Sequence, residues 1–269
     1  MTEKISDTDA LKAMLSPVSE VKPCIVTLMA EGGMGKTTLG AMFPNPVFMR
    51  FEDGTSALHS DDADLQAKFN GIQELPIVTK AGQEHEQLRL LGTTDHPFKT
   101  LVVDTISAMN TLYEDHIVDT DSKKPKSINQ ADGGYGAGHM AVSRMHGKFR
   151  ERCERLREVK GMNIVFLCHV DTVDIELPDT DRYMRYSLSM NKKSLPHYTN
   201  NVDLVGHIKL LAYTFGDGDR KKVSSNGQRV LTCHPVASSI TKNRYGITKD
   251  IGLPYGENPL EKIIPSLRS

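Results

Sequence analysis

The sequence contains few cysteines, no long apolar run and almost no net charge. Its four cysteines, Cys24, Cys153, Cys168 and Cys233, form no C-x-x-C pair, which argues against a zinc site and favours reduced thiols. No apolar run approaches the roughly 20 residues of a membrane-spanning helix, so we expect a soluble, cytoplasmic protein without a membrane partner. The formal net charge of −1 gives no general attraction to nucleic acid. Any contact with DNA therefore has to come from local loops.

Apolar strands alternate with helical segments through the first two thirds of the chain. A chain of 269 residues with 38% hydrophobic content is long enough to bury the core of one α/β domain. Periodicity predicts strands at Cys24–Met29, Val47–Phe51, Thr100–Asp104 and Asn163–His169. It predicts helices at Asp9–Leu15, Lys36–Met42, Asp61–Phe69, Gln83–Leu91, Ile106–Val118 and His139–Lys160. This alternation predicts a mostly parallel, twisted sheet flanked by helices.

One polar segment interrupts this alternation and a second follows it. Beyond the second segment the sequence pattern becomes that of antiparallel strands. Asp119–Gly138 and Asp171–Asn201 are polar and read as two long loops, of a length that is typical of functional segments. Asp203–Phe215 and Gln228–Pro235 predict two antiparallel strands, joined by a loop at Gly216–Asp219. We therefore expect an antiparallel hairpin on the C-terminal side of the parallel sheet.

The first strand runs directly into a glycine-rich segment, Ala30–Thr38, with the sequence AEGGMGKTT. This matches the phosphate-binding pattern G-x-x-x-x-G-K-[ST] except that Ala30 stands at the first glycine position. Lys36 would reach the β- and γ-phosphates of a nucleoside triphosphate, and Thr37 would bind Mg²⁺ through its hydroxyl group. The predicted nucleotide-binding residues are Glu31, Gly32, Gly33, Met34, Gly35, Lys36, Thr37 and Thr38.

Three polar residues stand at the ends of predicted strands and would meet at the same edge of the sheet. Asp104 follows four apolar or β-branched residues and is the candidate second ligand of Mg²⁺, although a strand-end Asp can also cap the next helix. Glu52 is the candidate general base, or else a turn residue before Gly54. His169 would contact the γ-phosphate, or else be a structural histidine.

This order of phosphate loop, strand-end Glu, strand-end Asp and polar strand end resembles the RecA-like ATPases, including RecA, RadA and DnaB-type proteins. The resemblance implies a RecA-like P-loop NTPase core with ATP and Mg²⁺ as cofactors, Glu52 as base and His169 in place of the usual Gln sensor. It covers Pro23 to about Asp250, so we expect an N-terminal extension at 1–22 and a RecA-like ATPase domain at 23–269. The His in place of Gln is closer to small phage-encoded members, which would place the protein in the cytoplasm of a bacterial host.

A second match to this family lies at Thr241–Gly246, with the sequence TKNRYG. It is similar to the K-N-R-F-G segment of RadA and the K-x-R-x-G segment of DnaB helicases, whose Lys and Arg reach the neighbouring subunit's ATP site. The resemblance implies that Lys242 and Arg244 act in trans on the γ-phosphate in a homo-oligomeric ring or filament. The other reading is a basic turn before Gly246.

RecA-like assemblies direct mobile loops toward the nucleic acid, and the two polar segments stand where such loops are expected. Lysines there would contact phosphates and tyrosines would stack on bases. The candidate DNA-binding residues are Lys124, Lys126, Tyr135, Lys192 and Lys193. Solvated loops without a ligand have the same composition.

These features favour an oligomeric, Mg²⁺-dependent ATPase that acts on single-stranded DNA in recombination, annealing or repair, beside a single-strand-binding protein. Three alternatives remain open: a ring helicase or helicase loader, a nucleotide-gated switch that binds a protein and no DNA, and a small-molecule kinase. The sequence contains no readable pattern for ATP against GTP.

Overall fold

The computed structural model describes residues 7–15, 21–215 and 222–268, in which helices alternate with strands. The helices are α1 (Asp7–Met14), α2 (Lys36–Ala41), α3 (Ala63–Phe69), α4 (Gln83–Thr93), α5 (Ile106–Thr120), α6 (Ala137–Lys160) and α7 (Pro196–Thr199). The strands are β1 (Ile25–Ala30), β2 (Pro46–Arg50), β3 (Gln73–Glu74), β4 (Thr100–Asp104), β5 (Asn163–Leu177), β6 (Thr180–Leu188), β7 (Leu204–Phe215), β8 (Lys222–Thr232), β9 (Lys242–Asn243) and β10 (Ile251–Gly252). The predicted loop Gly216–Asp219 lies outside the described residues.

Within the described residues the strands form one sheet in the order β10-β8-β7-β1-β5-β4-β2-β3, with β6 paired to β5 and β9 to β7. From β7 to β3 all neighbours in this order are parallel. Strand β8 runs antiparallel to β7, and β10 antiparallel to β8. The structure therefore confirms a mostly parallel sheet with a C-terminal antiparallel hairpin.

Alternating side chains of the central strands pack against two separate layers, as period-two strands require. One layer contains α4, α5 and α6 and buries Met29, Val103 and Phe166. The other contains α2, α3 and the C-terminal segment, and it buries Leu28, Val102 and Leu167. Each side chain buried to this extent contributes about 1.5–3 kcal/mol to folding. Helices on both faces hold the central strands in a fixed register.

That register brings the carboxyl ends of the central strands to one edge. Ala30 at the end of β1 lies beside His169 on β5, and Arg50 at the end of β2 lies beside Asp104 at the end of β4. We call this the carboxyl edge of the sheet. The loop at 31–35 and the start of α2 stand on it.

The interpretation of Asp171–Asn201 as a long loop is wrong. Strand β5 continues past His169 to Leu177 and pairs with β6 from Val170–Leu188 to Leu177–Thr180, forming an antiparallel hairpin that extends past the carboxyl edge. Most residues of this hairpin are exposed, so alternation of apolar with charged residues replaces the continuous apolar run of the buried half of β5. The charged residues in this stretch made the strand resemble a loop.

Candidate functional site

The glycine-rich loop connects β1 to α2 at the carboxyl edge. Gly33 and Gly35 have φ values of +75° and +84°, in the left-handed region that favours glycine. The Lys36 ammonium group is buried and donates to the carbonyl oxygens of Ala30 and Glu31, at 3.1 and 3.0 Å. Burial lowers the pKa of Lys36 from its ordinary value, although Asp104 and Glu52 oppose this. The start of the loop therefore holds the Lys36 cation through backbone carbonyl oxygens, and among the described residues Lys36 forms no ion pair within 4.0 Å.

Asp104 and Thr37 contact each other across the site. The Thr37 hydroxyl donates to Asp104 Oδ2 at 2.8 Å, and the Asp104 side chain is 1% exposed. Burial raises the pKa of Asp104 from 3.8 to about 6, against the lowering effect of the Thr37 hydrogen bond. The hydroxyl of Thr105, rather than Asp104, caps α5 by accepting from the Ala108 N–H. The capping alternative for Asp104 is therefore excluded.

Glu52 and His169 form a second pair at this edge. His169 Nε2 lies 3.1 Å from Glu52 Oε1, and His169 Nδ1 lies 3.4 Å from the Lys36 Nζ. Because Lys36 can only donate, the two contacts fit a neutral imidazole with its proton on Nε2, which then donates to Glu52. This hydrogen bond is the main cause that holds the pKa of Glu52 below its ordinary value, against the effect of burial. Glu52 is therefore ionised at neutral pH.

The structure thus brings five sequence-predicted residues to one edge of the sheet, in two sets of contacts. Thr37 joins Asp104, and Lys36 joins Glu52 through His169. No group of three or more His, Cys, Asp or Glu side chains able to hold a metal occurs in the part of the chain that is described. Oxygen donors at Thr37 and Asp104 suit Mg²⁺, which commonly takes one or two protein ligands and completes its shell with phosphates and water.

A cleft of about 930 Å³ opens beside Glu52 and His169. Its wall includes three further carboxylates, those of Glu114, Asp115 and Asp171. The cleft therefore favours cationic groups and water over phosphate groups at this side of the site.

Lys242 and Arg244 lie at the opposite edge of the sheet. Lys242 pairs with Val205 near the start of β7, and Lys242 Nζ donates to the Asn200 carbonyl oxygen. Arg244 Nη1 lies 3.0 Å from Asp203 Oδ1, whose second oxygen accepts from the Ile25 N–H at the start of β1. The structure therefore does not bring the two residues into their own chain's phosphate site. Arg244 is 56% exposed.

The predicted DNA-binding residues lie in two neighbouring segments of the surface. Lys124, Lys126 and Tyr135 belong to the segment between α5 and α6, and Lys192 and Lys193 follow β6. All five are exposed, Tyr135 completely so. The Lys193 ammonium group donates to the Gly136 carbonyl oxygen at 3.0 Å, which joins the two segments next to Tyr135.

The hairpin of β5 and β6 has the opposite charge. Between 171 and 186 it carries five acidic residues and two arginines. One of these, Arg182, is paired with Asp174 on the opposite strand. The hairpin itself is therefore not a basic surface.

Arg229, which no sequence pattern predicts as a site residue, contacts the phosphate loop through its guanidinium group. Arg229 lies on β8 and donates from Nη1 to the Met34 carbonyl oxygen at 3.2 Å. Its Cζ lies 5.0 Å from the centre of the Tyr255 ring. Nothing in the local sequence marks it, because the contact joins residues 195 positions apart.

Comparison with known proteins assigns a family to this arrangement. The model of a family described as "AAA domain" matches residues 22–245, which include all the site residues predicted from the sequence. A search of curated proteins found no match to this chain. In residues 7–15, 21–215 and 222–268, no helix is long and apolar enough to cross a membrane. Because the family match spans most of the sequence, the chain belongs to the AAA domain family and is a P-loop NTPase-type domain.

Proposed function

We propose that this protein is a RecA-like, Mg²⁺-dependent ATPase that assembles into a ring or filament and acts on single-stranded DNA in recombination, annealing or repair. The observation that carries the proposal is the set of contacts from Thr37 to Asp104 and from Lys36 through His169 to Glu52. It combines a phosphate-binding cation, an oxygen pair for a metal and an ionised carboxylate at one edge of the sheet.

Thr37 and Asp104 are the residues that would hold Mg²⁺. Their oxygens are 2.8 Å apart, and Asp104 is a buried carboxylate with a raised pKa, so a cation there would offset an unfavourable charge. The metal would neutralise charge on the phosphates during transfer. Lys36 would exchange its two carbonyl contacts for phosphate oxygens.

Glu52 would accept the proton of the attacking water. Its lowered pKa keeps it ionised at neutral pH, and the hydrogen bond from His169 fixes the orientation of its carboxylate. His169 also contacts Lys36, which would bind the γ-phosphate. Loss of the γ-phosphate would therefore change the contact between Lys36 and His169, and His169 in turn contacts Glu52. His169 is in this way suited to a positioning role.

Lys242 and Arg244 would act on a neighbouring subunit. Each subunit would present them at the edge opposite its own phosphate loop, which is the arrangement that head-to-tail assembly requires. The acidic cleft beside Glu52 suits cationic side chains arriving from a partner. Assembly would then complete the site, and an isolated subunit would hydrolyse ATP slowly.

Single-stranded DNA would bind at the joined segments that carry Tyr135 and Lys193. The same two segments carry exposed lysines at 124, 126 and 192, and the exposed tyrosine offers a face for base stacking. A single-strand-binding protein would be a natural partner for such an ATPase, because it covers the same substrate.

Steady-state ATP hydrolysis with Mg²⁺, measured with and without single-stranded DNA, tests this function. We expect DNA to stimulate turnover of the native protein and expect Lys36→Ala and Arg244→Ala each to abolish the stimulation. Turnover that is identical with and without DNA would contradict the DNA part of the proposal. Absence of turnover under both conditions would contradict the ATPase part.

A nucleotide-gated switch that binds a protein partner without DNA is the second candidate. The acidic hairpin favours it, since the excess of five carboxylates over two arginines at 171–186 would repel a DNA backbone close to the site. Binding of a fluorescent oligonucleotide separates the two. Saturable binding that weakens with salt supports the ATPase on DNA, and no binding at low salt supports the switch.

A further inference from the structure

The guanidinium group of Arg229 lies against the phosphate loop. The group touches the loop at two places: Nη1 donates to the Met34 carbonyl oxygen at 3.2 Å, and a Cβ added at Gly35 would lie 2.2 Å from Nη1. Tyr255, which follows β10, packs its ring over the guanidinium, with 5.0 Å from Cζ to the ring centre. The antiparallel part of the sheet therefore places a cation directly on the loop.

The positive charge of Arg229 has no counterion there. Within the described residues no carboxylate lies within 4.0 Å of its nitrogens, and burial lowers its pKa from the ordinary value. A guanidinium has five N–H donors, whereas the Arg229 side chain makes one hydrogen bond to the residues that the structure describes. A partly desolvated cation with unused donors is well suited to an anion.

The other candidate cations of the chain do not fill this place. Lys36 lies inside the loop on the carbonyl oxygens of Ala30 and Glu31, and Arg244 is at the opposite edge, on Asp203. In the described part of the chain, Arg229 is the guanidinium that hydrogen-bonds to the loop at 31–35.

We propose that Arg229 is an additional ligand for the phosphates of the bound nucleotide, supplied in cis by β8. The inference rests on the proposed function, because it assigns a further contact to the same nucleotide site. Binding of the nucleotide would draw Arg229 from the Met34 carbonyl oxygen to a phosphate oxygen. Strand β8 would then respond to occupancy of the loop.

Isothermal titration calorimetry with MgATP, MgADP and inorganic tripolyphosphate tests the proposal on four variants. Arg229→Gln keeps a donor for the Met34 carbonyl oxygen but removes the charge, whereas Arg229→Lys keeps the charge. Arg155→Gln on α6 is the matched control, since Arg155 forms no ion pair within 4.0 Å in the described residues and lies away from the loop. Lys36→Ala reports on the site itself.

We expect Arg229→Gln to raise the dissociation constant for MgATP and for tripolyphosphate about tenfold. Arg229→Lys should retain most of the affinity, and Arg155→Gln should bind like the native protein. Thermal melting without nucleotide checks that the variants are folded.

Three results would overturn the inference and leave the proposed function intact. Native affinity for MgATP in Arg229→Gln would show that Arg229 does not contact the phosphates. Equal losses of affinity in the Gln and Lys variants would show that Arg229 has only a structural role. A loss for MgATP without a loss for tripolyphosphate would assign the contact to the nucleoside instead. Failure of the native protein to bind MgATP, or native binding by Lys36→Ala, would instead contradict the proposed function and the inference together.

Discussion

At the scale of single residues, the site combines groups that folding alone would not favour. Asp104 is a buried carboxyl group, and Lys36 is a buried ammonium group that donates to two carbonyl oxygens. Desolvation costs free energy in both cases, which is common where charged ligands bind. The clearest sign of this cost is the pKa of Asp104, which burial raises to about 6.

Asp104→Asn should therefore stabilise the protein in the absence of Mg²⁺. The native carboxyl group has a pKa of about 6 when folded against 3.8 as a reference, so its ionisation costs up to about 3 kcal/mol of stability above the folded pKa. The cost is absent below pH 3.8, because both states are protonated, and grows as pH rises from 3.8 to about 6. Chemical denaturation of both proteins between pH 4 and pH 8 measures the difference.

The same variant should lose Mg²⁺-dependent hydrolysis, since an amide is a weaker metal ligand than a carboxylate. Equal stability of the two proteins across the pH range would show that the burial of Asp104 is already compensated. Full activity of Asp104→Asn would show that the Asp104 carboxylate is not needed as a ligand of Mg²⁺.

At the scale of elements, the sequence predicted the strand and helix bounds that depend on a local pattern of residues. Strand β4 has the predicted bounds, Thr100–Asp104, because four apolar or β-branched residues precede a charged one. Helix α6 ends as predicted before Gly161, whose φ of 66° is favourable for glycine. The outer half of β5 was missed because it is solvated on most sides, and Arg229 because its contact exists only in the tertiary structure.

The start of α6 packs closely against the segment that carries Tyr135, and this close approach requires the missing Cβ of Gly138. A Cβ at Gly138 would lie 2.4 Å from the backbone carbonyl oxygen of Ile128, which cannot move without displacing the segment. We expect Gly138→Ala to cost about 1–3 kcal/mol and to weaken binding of single-stranded DNA. Urea denaturation and fluorescence anisotropy measure the two effects.

Gly92→Ala in α4 is the matched control for this prediction. A Cβ at Gly92 meets nothing within 4 Å, so the alanine should stabilise the helix by about 0.5–1 kcal/mol. Native stability in Gly138→Ala would show that the segment before α6 adjusts freely, and the prediction would be wrong.

At the scale of the whole molecule, the phosphate loop and Arg244 lie at opposite edges of one sheet. If subunits assemble head to tail, a site consists of the loop of one subunit and Arg244 of the next. The variants Lys36→Ala and Arg244→Ala, which we expect to lose DNA-stimulated hydrolysis, should then regain it when they are mixed. Some interfaces in the mixture combine an intact loop with an intact Arg244.

We expect the mixed protein to hydrolyse ATP faster than either variant alone, toward about a quarter of the native rate for random pairing in equal amounts. Mixing Lys36→Ala with the double variant Lys36→Ala/Arg244→Ala is the control and should stay inactive. Equal inactivity of both mixtures would contradict a role for Arg244 in trans.

The substitution Glu52→Gln tests whether Glu52 activates water at the nucleotide site. The measurement is phosphate release from MgATP, together with MgATP binding by calorimetry, for the native protein and this variant. We predict that Glu52→Gln binds MgATP with native affinity and hydrolyses it roughly 10² to 10⁴ times more slowly. Hydrolysis by Glu52→Gln at the native rate would show that Glu52 does not activate the attacking water.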